Sequence, residues 1–337
     1  MAPALAVADA LRADGAQVSF IGGDRAEAEL VPAAGYPLRA ISVEGLPRRR
    51  PLRALLALAK ALRAFWRSRA LLRELAPDAV MGGGGYVAGP VGLAAVSLRV
   101  PLVLTEADSH LGITNRLLAR FARRVCLAFP IAGRDGPRYR VTGRPIPVAS
   151  ARREDARGQL GIGPNETCVL VFGGSLGART INQAALGAFA QGDFRVIHVC
   201  GRRDYAESSS EPLRAGYDLH EYLDLTSFAQ ALAASDLVVA RAGGSVFEIA
   251  AYGLPAILVP YPHAAADHQS ANARWMADGG AASVIADGEL TPARLAKEVA
   301  ALLANPARLG AMAAASRRLA RPDAAREVAE ELIEAAE

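Results

Sequence analysis

The stretch CVLVFGGSLGAR at residues 168–179 runs from an apolar segment into a glycine-rich turn and continues as INQ at residues 181–183. An apolar run bounded by glycine is typical of a buried strand in a parallel sheet, and the residues after the turn begin a helical pattern. Glycine lets the backbone approach a ligand closely, and the unpaired N–H groups at a helix start favour a phosphate. A tight turn without a ligand has the same pattern, so this motif alone leaves both interpretations open.

The same alternation extends along the chain. Short runs rich in Val, Ile and Leu alternate with helical patterns and glycine-containing turns, which predicts parallel βαβ units and the α/β class. Residues 79–104 and 238–260 repeat one order of strand, glycine cluster, alanine-rich helix and strand. We therefore expect a similar doubly wound sheet in each half.

The length of 337 residues exceeds what one hydrophobic core usually holds, so two domains are expected. Regular periodicity lapses between residues 133 and 165, where Gly, Pro and Arg are frequent. We place an N-terminal domain at 1–145, a linker at 146–165, a C-terminal domain at 166–320 and a final segment at 321–337. Residues 324–336 read as a helix that Asp323 could cap and that could pack on the N-terminal domain.

The composition is that of a globular protein, with 52% hydrophobic and 21% charged residues. Every long apolar run is interrupted, so no membrane-spanning helix is predicted, and the N-terminus lacks the order of features of a signal peptide. Cys126, Cys168 and Cys200 stand far apart in or beside apolar runs, without metal-ligand spacing. They are predicted to be buried thiols in a reducing compartment.

A second glycine turn, RAGGS at residues 241–245, follows another apolar run, and Glu248 falls in the first turn of the next helix. A carboxylate at this place could cap the helix, where the dipole favours an acid. It could equally accept two hydrogen bonds from a ribose diol, as carboxylates at the ends of parallel strands do. The pattern does not decide between the two.

A third polar cluster, PYPH at residues 260–263 and ADHQSANA at 266–273, follows another strand. Adjacent side chains at Asp267, His268 and Gln269 point in different directions, which suits a ligand with several hydroxyl groups. A metal site is disfavoured because ligands paired at i and i+4 are missing. A capping role for Asp267 and Asn272 is the alternative.

The N-terminal half has its own glycine cluster, MGGGGYVAGP at residues 81–90, between a strand and a helix. Successive glycines give an open backbone that accepts anions. Residues 106–112, EADSHLG, follow the next strand and add acids to the same rim, unless they are ordinary surface turn residues.

A basic segment at residues 48–73 contains nine Arg or Lys residues and no acid. Leu62 and Trp66 share one helical face, Arg67 lies on a neighbouring face, and Phe65 joins Trp66 at the C-terminal end. This pattern fits a helix on an anionic membrane surface, or a helix packed on its own domain with solvated arginines. Nucleic acid is disfavoured as a partner, although the pI is about 9.1, because the charge is concentrated in one amphipathic stretch.

These motifs, in this order and spacing, resemble the MurG family of glycosyltransferases. The resemblance is carried by GGSLGAR with Asn182, RAGG with Glu248, GLP at residues 253–255 and DHQ with Asn272, and it extends over nearly the whole chain. That family transfers N-acetylglucosamine from UDP-N-acetylglucosamine to a lipid-linked N-acetylmuramyl-pentapeptide in peptidoglycan synthesis. The resemblance implies a GT-B fold of two facing Rossmann-like doubly wound domains with a cleft between them. It also implies inversion without a metal or cofactor, and a peripheral position on the cytoplasmic face of the cell membrane.

The family's contacts can be carried over to this sequence. Ser175 would bond the donor phosphate, the Leu225 backbone would meet uracil, and Glu248 would bind the ribose. The full set implied for the donor is Asp108, Arg144, Ser175, Asn182, Leu225, Gly244, Ser245, Val246, Glu248, His268 and Gln269. The loop of Gly83, Gly84, Gly85 and Tyr86 is expected to face the acceptor and its pyrophosphate. The membrane contacts are expected at Leu62, Phe65, Trp66 and Arg67.

The sequence departs from the family pattern at its start, where the family has a Gly-x-Gly-Gly-His loop and this chain reads Met1-Ala2-Pro3. The first strand and the family's proposed basic histidine are expected to be absent, either through a start codon assigned too late, which we favour, or through a natural truncation. The catalytic base is therefore unassigned. Asp108 replaces an Asn, and Arg144 would substitute for an Arg expected at Pro147. Two alternatives stay open, namely transfer to another lipid or small-molecule acceptor, and UDP-sugar binding without catalysis.

Overall fold

The computed structural model describes residues 1–23, 26–41, 51–147, 151–174, 176–264 and 267–337, and only the backbone of residue 26 and residues 51–59. The chain divides into two compact units. Unit 1 comprises residues 1–148 and 322–337, and unit 2 comprises residues 149–321.

The helices and strands alternate along most of the chain. The helices are α1 (Ala2–Ala13), α2 (Ala26–Ala33), α3 (Pro51–Leu75), α4 (Gly85–Leu98), α5 (Ile113–Leu118), α6 (Arg153–Gln159), α7 (Arg179–Ala188), α8 (Tyr205–Ser208), α9 (Leu225–Ala234), α10 (Val246–Ala251), α11 (His268–Asp278), α12 (Pro292–Leu303), α13 (Pro306–Leu319) and α14 (Ala324–Ala336). The strands are β1 (Phe20–Gly22), β2 (Leu38–Ala40), β3 (Val80–Gly82), β4 (Leu102–Glu106), β5 (Arg124–Leu127), β6 (Tyr139–Val141), β7 (Cys168–Phe172), β8 (Arg195–Val199), β9 (Tyr217–His220), β10 (Leu237–Ala240), β11 (Ala256–Leu258) and β12 (Ala282–Val284).

Unit 2 is built on a six-stranded sheet with the order β12-β11-β10-β7-β8-β9, in which every pairing is parallel. β7 is buried along its whole length, because Val169 and Val171 enter one core cluster while the alternate residues face the opposite side of the sheet. A strand covered on both faces is what a continuous apolar run predicts. The predicted α/β class, with parallel sheets in two units, is confirmed.

Unit 1 contains a four-stranded parallel sheet, β3-β4-β5-β6, and a two-stranded parallel sheet, β1-β2. In β4, Leu102 and Leu104 pack against a layer formed by α3, α4 and α5. Val103 points to the other face, where it packs with residues of α1 and α14. The alternation of side chains along the strand thus separates two helical layers.

Helix α14 follows unit 2 in the chain but packs in unit 1. Val328 and Leu332 lie in one apolar cluster with Val7 of α1 and Val103 of β4. The helix has the bounds that the sequence predicts. Asp323 occupies the N-cap position, but its side chain makes no capping hydrogen bond, so the predicted cap is wrong.

Helix α6 lies inside the segment for which a linker was expected. Arg157, which is 4% exposed, donates from Nη1 to the carbonyl of Ala234 at 2.7 Å and from Nη2 to that of Gly163 at 2.6 Å. Residues 153–159 therefore belong to the packed body of unit 2. Apolar periodicity misses this helix because its anchor is a buried arginine.

The three cysteines are buried and form no disulfide, as predicted. Burial raises the pKa of Cys168 to about 11 and that of Cys126 to about 12, so both thiols are neutral near pH 7. Among the helices of the described residues, none combines the length and the apolar character needed to cross a bilayer.

Candidate functional site

The strand order of unit 2 reverses between β7 and β10, which are neighbours in the sheet although two strands separate them in the chain. Helices after these strands leave in opposite directions at such a point, and a crevice opens beyond the carboxyl ends. The glycine loops at residues 173–178 and 241–245 both begin there. The fold thus brings together two motifs that lie far apart in the sequence.

Two positions in the first loop can be occupied only by glycine. A Cβ on Gly173 would lie 2.4 Å from the Cβ of Ala178. Gly177 has φ +81°, and a Cβ there would lie 2.0 Å from the carbonyl oxygen of Cys200. The first approach closes the loop on itself, and the second holds it against the end of β8. Ser175, the predicted phosphate contact, lies outside the described residues.

The second loop turns directly into α10. The carbonyls of Gly243 and Gly244 accept hydrogen bonds from the N–H groups of Val246 and Phe247, both at 3.3 Å. Gly244 and Ser245 are half-buried, whereas the side chain of Val246 is fully buried, so Val246 can offer a ligand only its backbone. The loop therefore presents backbone groups at the crevice.

Glu248 lies in the first turn of α10 and is half-buried. An acid in the first turn is stabilised by the helix dipole. The turn also places the carboxylate within one helical repeat of the glycine loop.

Asn272 ties the second loop to α11. Its Nδ2 donates to the carbonyl of Ala242 at 2.9 Å and to that of Gly243 at 3.4 Å, and the residue is 2% exposed. Asp267 occupies the N-cap position of α11 with a left-handed φ of 55°, and its Oδ1 accepts from the Ser270 hydroxyl at 2.5 Å. Neither side chain caps α11 in the expected way.

The third polar cluster is ordered by a backbone contact. The N–H of Tyr261 donates to Oε1 of Gln269 at 3.0 Å, which fixes the side-chain amide of Gln269 beside the end of β11. His268 and Gln269 are half-buried, and Tyr261 is 43% exposed. His268 and Gln269 thus remain accessible from the loop side.

Arg241 connects these loops, and the sequence did not single out its side chain. Nη1 lies 2.5 Å from Oδ1 of Asp287 and donates to the carbonyls of Val259 at 3.1 Å and Pro260 at 3.3 Å. Nη2 donates to the hydroxyl of Thr180 at 2.8 Å. Asp287 belongs to no motif that the sequence shows, and it reaches Arg241 only through the strand order of the sheet.

Asn182 was expected to contact the donor, but the structure buries it inside unit 2. Its Nδ2 donates to the carbonyl of Cys200 at 2.9 Å and to Oδ2 of Asp204 at 3.0 Å, and its Oδ1 lies 3.1 Å from Nε2 of His198. The residue is 2% exposed. In this arrangement Asn182 supports the strand ends beneath the first loop.

Leu225 begins α9 and is 52% exposed. Asp224 caps this helix by accepting from the N–H of Ser227 at 2.7 Å, which lowers the pKa of the carboxyl. Phe228, one turn further, packs edge-on against Phe172 at 5.0 Å between ring centres. The backbone of Leu225 is therefore held near the carboxyl end of β7.

The glycine cluster of unit 1 also joins a strand to a helix. Gly84 and Gly85 adopt φ values of +78° and +76°, Gly83 and Gly85 are exposed, and Tyr86 is 67% exposed. The Thr114 hydroxyl donates to the carbonyl of Gly85 at 3.1 Å. The loop is thus open on one side and anchored on the other.

Glu106 points inward and does not add a charge to the rim, contrary to expectation. It is 8% exposed and accepts from the N–H of Gly112 at 2.8 Å, from Nδ2 of Asn115 at 2.9 Å and from the N–H of Asp108 at 3.2 Å. Its carboxylate organises residues 106–112. Asp108 and Arg144, two of the expected donor contacts, are half-buried residues of unit 1.

Three of the four expected membrane contacts lie on the exposed side of α3. Leu62, Trp66 and Arg67 are exposed. Phe65 instead packs against the core of unit 1, because it lies on the same stripe as the buried Leu72. Within the part of the chain that the structure describes, no cluster of three or more His, Cys, Asp or Glu residues could hold a metal ion.

Comparison with known proteins places the chain among glycosyltransferases. Residues 1–127 match the N-terminal domain of glycosyltransferase family 28, and residues 168–328 match its C-terminal domain. The sequence is 42% identical to a UDP-N-acetylglucosamine–N-acetylmuramyl-(pentapeptide) pyrophosphoryl-undecaprenol N-acetylglucosamine transferase of Moorella thermoacetica, over 99% of this chain and 95% of the relative. It is also 42% identical to the protein of the same name from Rubrobacter xylanophilus, over 98% of each chain.

Solved structures agree with these relatives. The crystal structure of Acinetobacter baumannii MurG matches with a TM-score of 0.77 and 32% identity, over 98% of this chain and 95% of that one. The calicheamicin glycosyltransferase CalG4 matches with a TM-score of 0.69 at 19% identity, a likeness of fold alone. The chain therefore belongs to glycosyltransferase family 28 and, within it, to the MurG family.

Proposed function

We propose that this chain transfers N-acetylglucosamine from UDP-N-acetylglucosamine to an N-acetylmuramyl-(pentapeptide) pyrophosphoryl-undecaprenol acceptor. The observation that carries the proposal is the convergence of the predicted donor loops at the strand-order reversal of unit 2. The names of relatives about 40% identical over nearly the whole chain support the choice of both substrates.

The donor is assigned to unit 2. The backbone of Gly244, Ser245 and Val246 would meet the pyrophosphate, since the N–H groups at a helix start attract anions. Glu248 would accept hydrogen bonds from the ribose hydroxyls, and the Leu225 backbone would meet uracil. His268 and Gln269 would bind hydroxyl groups of the sugar, which agrees with the half-buried position of both and with the contact of Gln269 to the N–H of Tyr261.

The reaction is a displacement at the anomeric carbon. An acceptor hydroxyl oxygen forms the new glycosidic bond while the bond to the UDP oxygen breaks, with inversion, and the hydroxyl proton passes to a base. UDP leaves with the bonding electron pair, so the first turns of α7 and α10 stabilise the charge that develops on its phosphate. No described residue is assigned as the base.

The acceptor carries a lipid, and unit 1 offers a surface suited to meet it. The helices α3, α4 and α5, with the residues that follow α5, expose apolar side chains, namely Leu62, Trp66, Leu93, Ile113, Leu117 and Phe121. Arg63, Arg67, Arg116, Arg120 and Arg123 are exposed on or beside the same helices, which contain one acid, Glu74. Apolar side chains among basic ones favour an anionic membrane surface.

An assay of UDP release tests the proposal. The purified chain is mixed with UDP-N-acetylglucosamine and a lipid-linked N-acetylmuramyl-pentapeptide analogue, and the expected result is UDP release that requires the analogue. The same incubation with a diacylglycerol replaces only the acceptor and serves as the control. Release with the diacylglycerol alone would overturn the acceptor assignment, and UDP-sugar binding without any release would overturn the transferase assignment.

A further inference from the structure

A closed triangle of polar contacts lies at the carboxyl edge of the unit 2 sheet. The Thr180 hydroxyl accepts from Nη2 of Arg241 at 2.8 Å and lies 2.7 Å from Oδ1 of Asp287, to which it donates. The same carboxylate oxygen pairs with Nη1 of Arg241 at 2.5 Å. We propose that Arg241, Asp287 and Thr180 form a clamp that positions the donor loops, so that all three are positioning residues for the reaction. The inference rests on the proposed function, because it assigns the clamp to the donor site.

The clamp joins four adjacent strands at their carboxyl ends. Asp287 follows β12, the carbonyls of Val259 and Pro260 follow β11, Arg241 follows β10, and Thr180 belongs to the helix after β7. One guanidinium can contact acceptors from the other three strands, because its N–H donors are held in a rigid planar fork. Lysine has a single nitrogen and cannot reach the same set of acceptors.

Arg241, Thr180 and the Pro260 carbonyl that Arg241 contacts are each continuous with a predicted donor loop. Ala242, next to Arg241, is followed by the Gly243–Ser245 turn, and the carbonyls of Ala242 and Gly243 accept from Nδ2 of Asn272. Thr180 lies in the first turn of α7, directly after the first glycine loop. The Pro260 carbonyl precedes Tyr261, whose N–H holds Gln269. A shift of the guanidinium would therefore move all three loops relative to one another.

Arg241 acts through the loops, not on the ligand. The residue is 9% exposed, and its two terminal nitrogens are directed at Asp287, Val259, Pro260 and Thr180. A buried side chain committed to protein acceptors has little capacity to contact a phosphate. Arg241 therefore affects donor binding indirectly, by fixing the distance between the ends of the strands that carry the donor loops.

Thr180 gives the cleanest test, because valine has nearly its shape without the hydroxyl and serine keeps the hydroxyl. Binding of UDP to the full chain is measured by calorimetry for the wild type, Thr180→Val, Thr180→Ser and Asp287→Asn. We expect Thr180→Val and Asp287→Asn to weaken UDP binding about tenfold, as the loss of hydrogen bonds to charged groups implies, and Thr180→Ser to stay within about twofold.

The matched control is Asp236→Asn at the opposite edge of the same sheet. Asp236 precedes β10 and pairs with Arg153 at 2.5 Å and Arg157 at 3.5 Å, so the variant makes the same charge change away from the loops. It should lower the thermal unfolding temperature and leave UDP affinity unchanged. Equal losses of affinity in Asp236→Asn and Asp287→Asn would show a general effect on stability and overturn the clamp.

Amide hydrogen exchange at residues 242–246, read without ligand, separates this inference from the proposed function. Faster exchange there in Thr180→Val, and not in Thr180→Ser, supports the clamp. Unchanged exchange with unchanged UDP affinity overturns it, even if the wild type binds UDP and turns over. A wild type that fails to bind UDP overturns the proposed function, while the exchange data still decide whether the clamp orders the loops.

Discussion

Arg124 of β5 and Glu331 of α14 form an ion pair at 2.6 Å between Nε and Oε2, although 207 residues separate them in the chain. Glu331 is 9% exposed and also pairs with Arg140 of β6 at 3.1 Å. One carboxylate thus fixes α14 to two strands of the four-stranded sheet.

Replacing Glu331 with Gln is expected to destabilise unit 1. The change leaves the half-buried Arg124 with Glu334 as its remaining acidic partner and should lower the free energy of unfolding by about 2 kcal/mol, less than the loss of a fully buried pair. Denaturant unfolding of the full chain measures it. The control is Glu330→Gln, which breaks an exposed pair with Arg326 on the same helix and should cost about 0.4 kcal/mol. Equal effects of the two variants would contradict the role of Glu331.

His198 is expected to make unit 2 less stable in acid. Burial lowers its pKa to about 4 from 6.5, so between these values the unfolded chain binds a proton that the folded chain does not. The contribution of this group is complete above pH 6.5 and is lost as the pH falls to 4, by about 3 kcal/mol. Thermal unfolding of the wild type minus that of His198→Gln, followed across this range, isolates it. A difference that is independent of pH would rule the effect out.

Trp66 is expected to contribute directly to membrane binding. It is 64% exposed on α3, and removing its indole should weaken binding to vesicles of equal parts phosphatidylcholine and phosphatidylglycerol about tenfold. Sedimentation with vesicles measures the change, and added salt should weaken binding further by screening the arginines. Ile333→Ala on α14 is the control, since that helix covers the opposite face of the sheet. If both variants bind equally well, the surface has been assigned to the wrong face.

Glu248→Gln tests the ribose contact. A neutral amide accepts hydrogen bonds more weakly than a carboxylate, so UDP affinity should fall about tenfold. Calorimetry with 2′,3′-dideoxy-UDP supplies the internal control, because a ligand without the diol should bind wild type and variant equally. A similar loss with both ligands would place Glu248 elsewhere in the site.

Gly243→Ala tests how closely a ligand approaches the second loop. A Cβ at this position meets nothing within 4 Å and the backbone φ is ordinary, so the fold should tolerate the change. We expect unchanged thermal unfolding but UDP binding weakened about tenfold, since a methyl group would stand next to the backbone of Gly244–Val246, to which the pyrophosphate is assigned. Gly310→Ala in α13, equally unobstructed, should leave UDP binding intact. Full UDP affinity in Gly243→Ala would remove this loop from the donor site.

The sequence predicted the elements whose periodicity is local. β7 and α14 begin and end where the apolar patterns indicate, and both glycine loops lie at strand ends as expected. In each case the decisive signal lies within a few neighbouring residues, through a buried apolar run or a turn that only glycine can form.

The contacts between distant segments could not be predicted in this way. Arg241 meets Asp287 only because β12 and β10 flank β11, and a strand order is not encoded in local periodicity. The direction of a polar side chain is equally hidden, since Asn182 belongs to a family motif and yet points into the protein. The same holds for Phe65, whose outward neighbour Trp66 differs from it by one helical step.

The return of α14 to unit 1 also sets an order for folding during translation. Residues 322–337 leave the ribosome only after all of unit 2 has been made, so the nascent unit 1 exposes Val7 and Val103 on the face that α14 later covers. Unit 2, which is continuous in the chain, can complete its core first. The half-made protein therefore carries an open apolar surface through the whole synthesis of unit 2, and exposed apolar surface of this kind is what makes folding intermediates prone to aggregation.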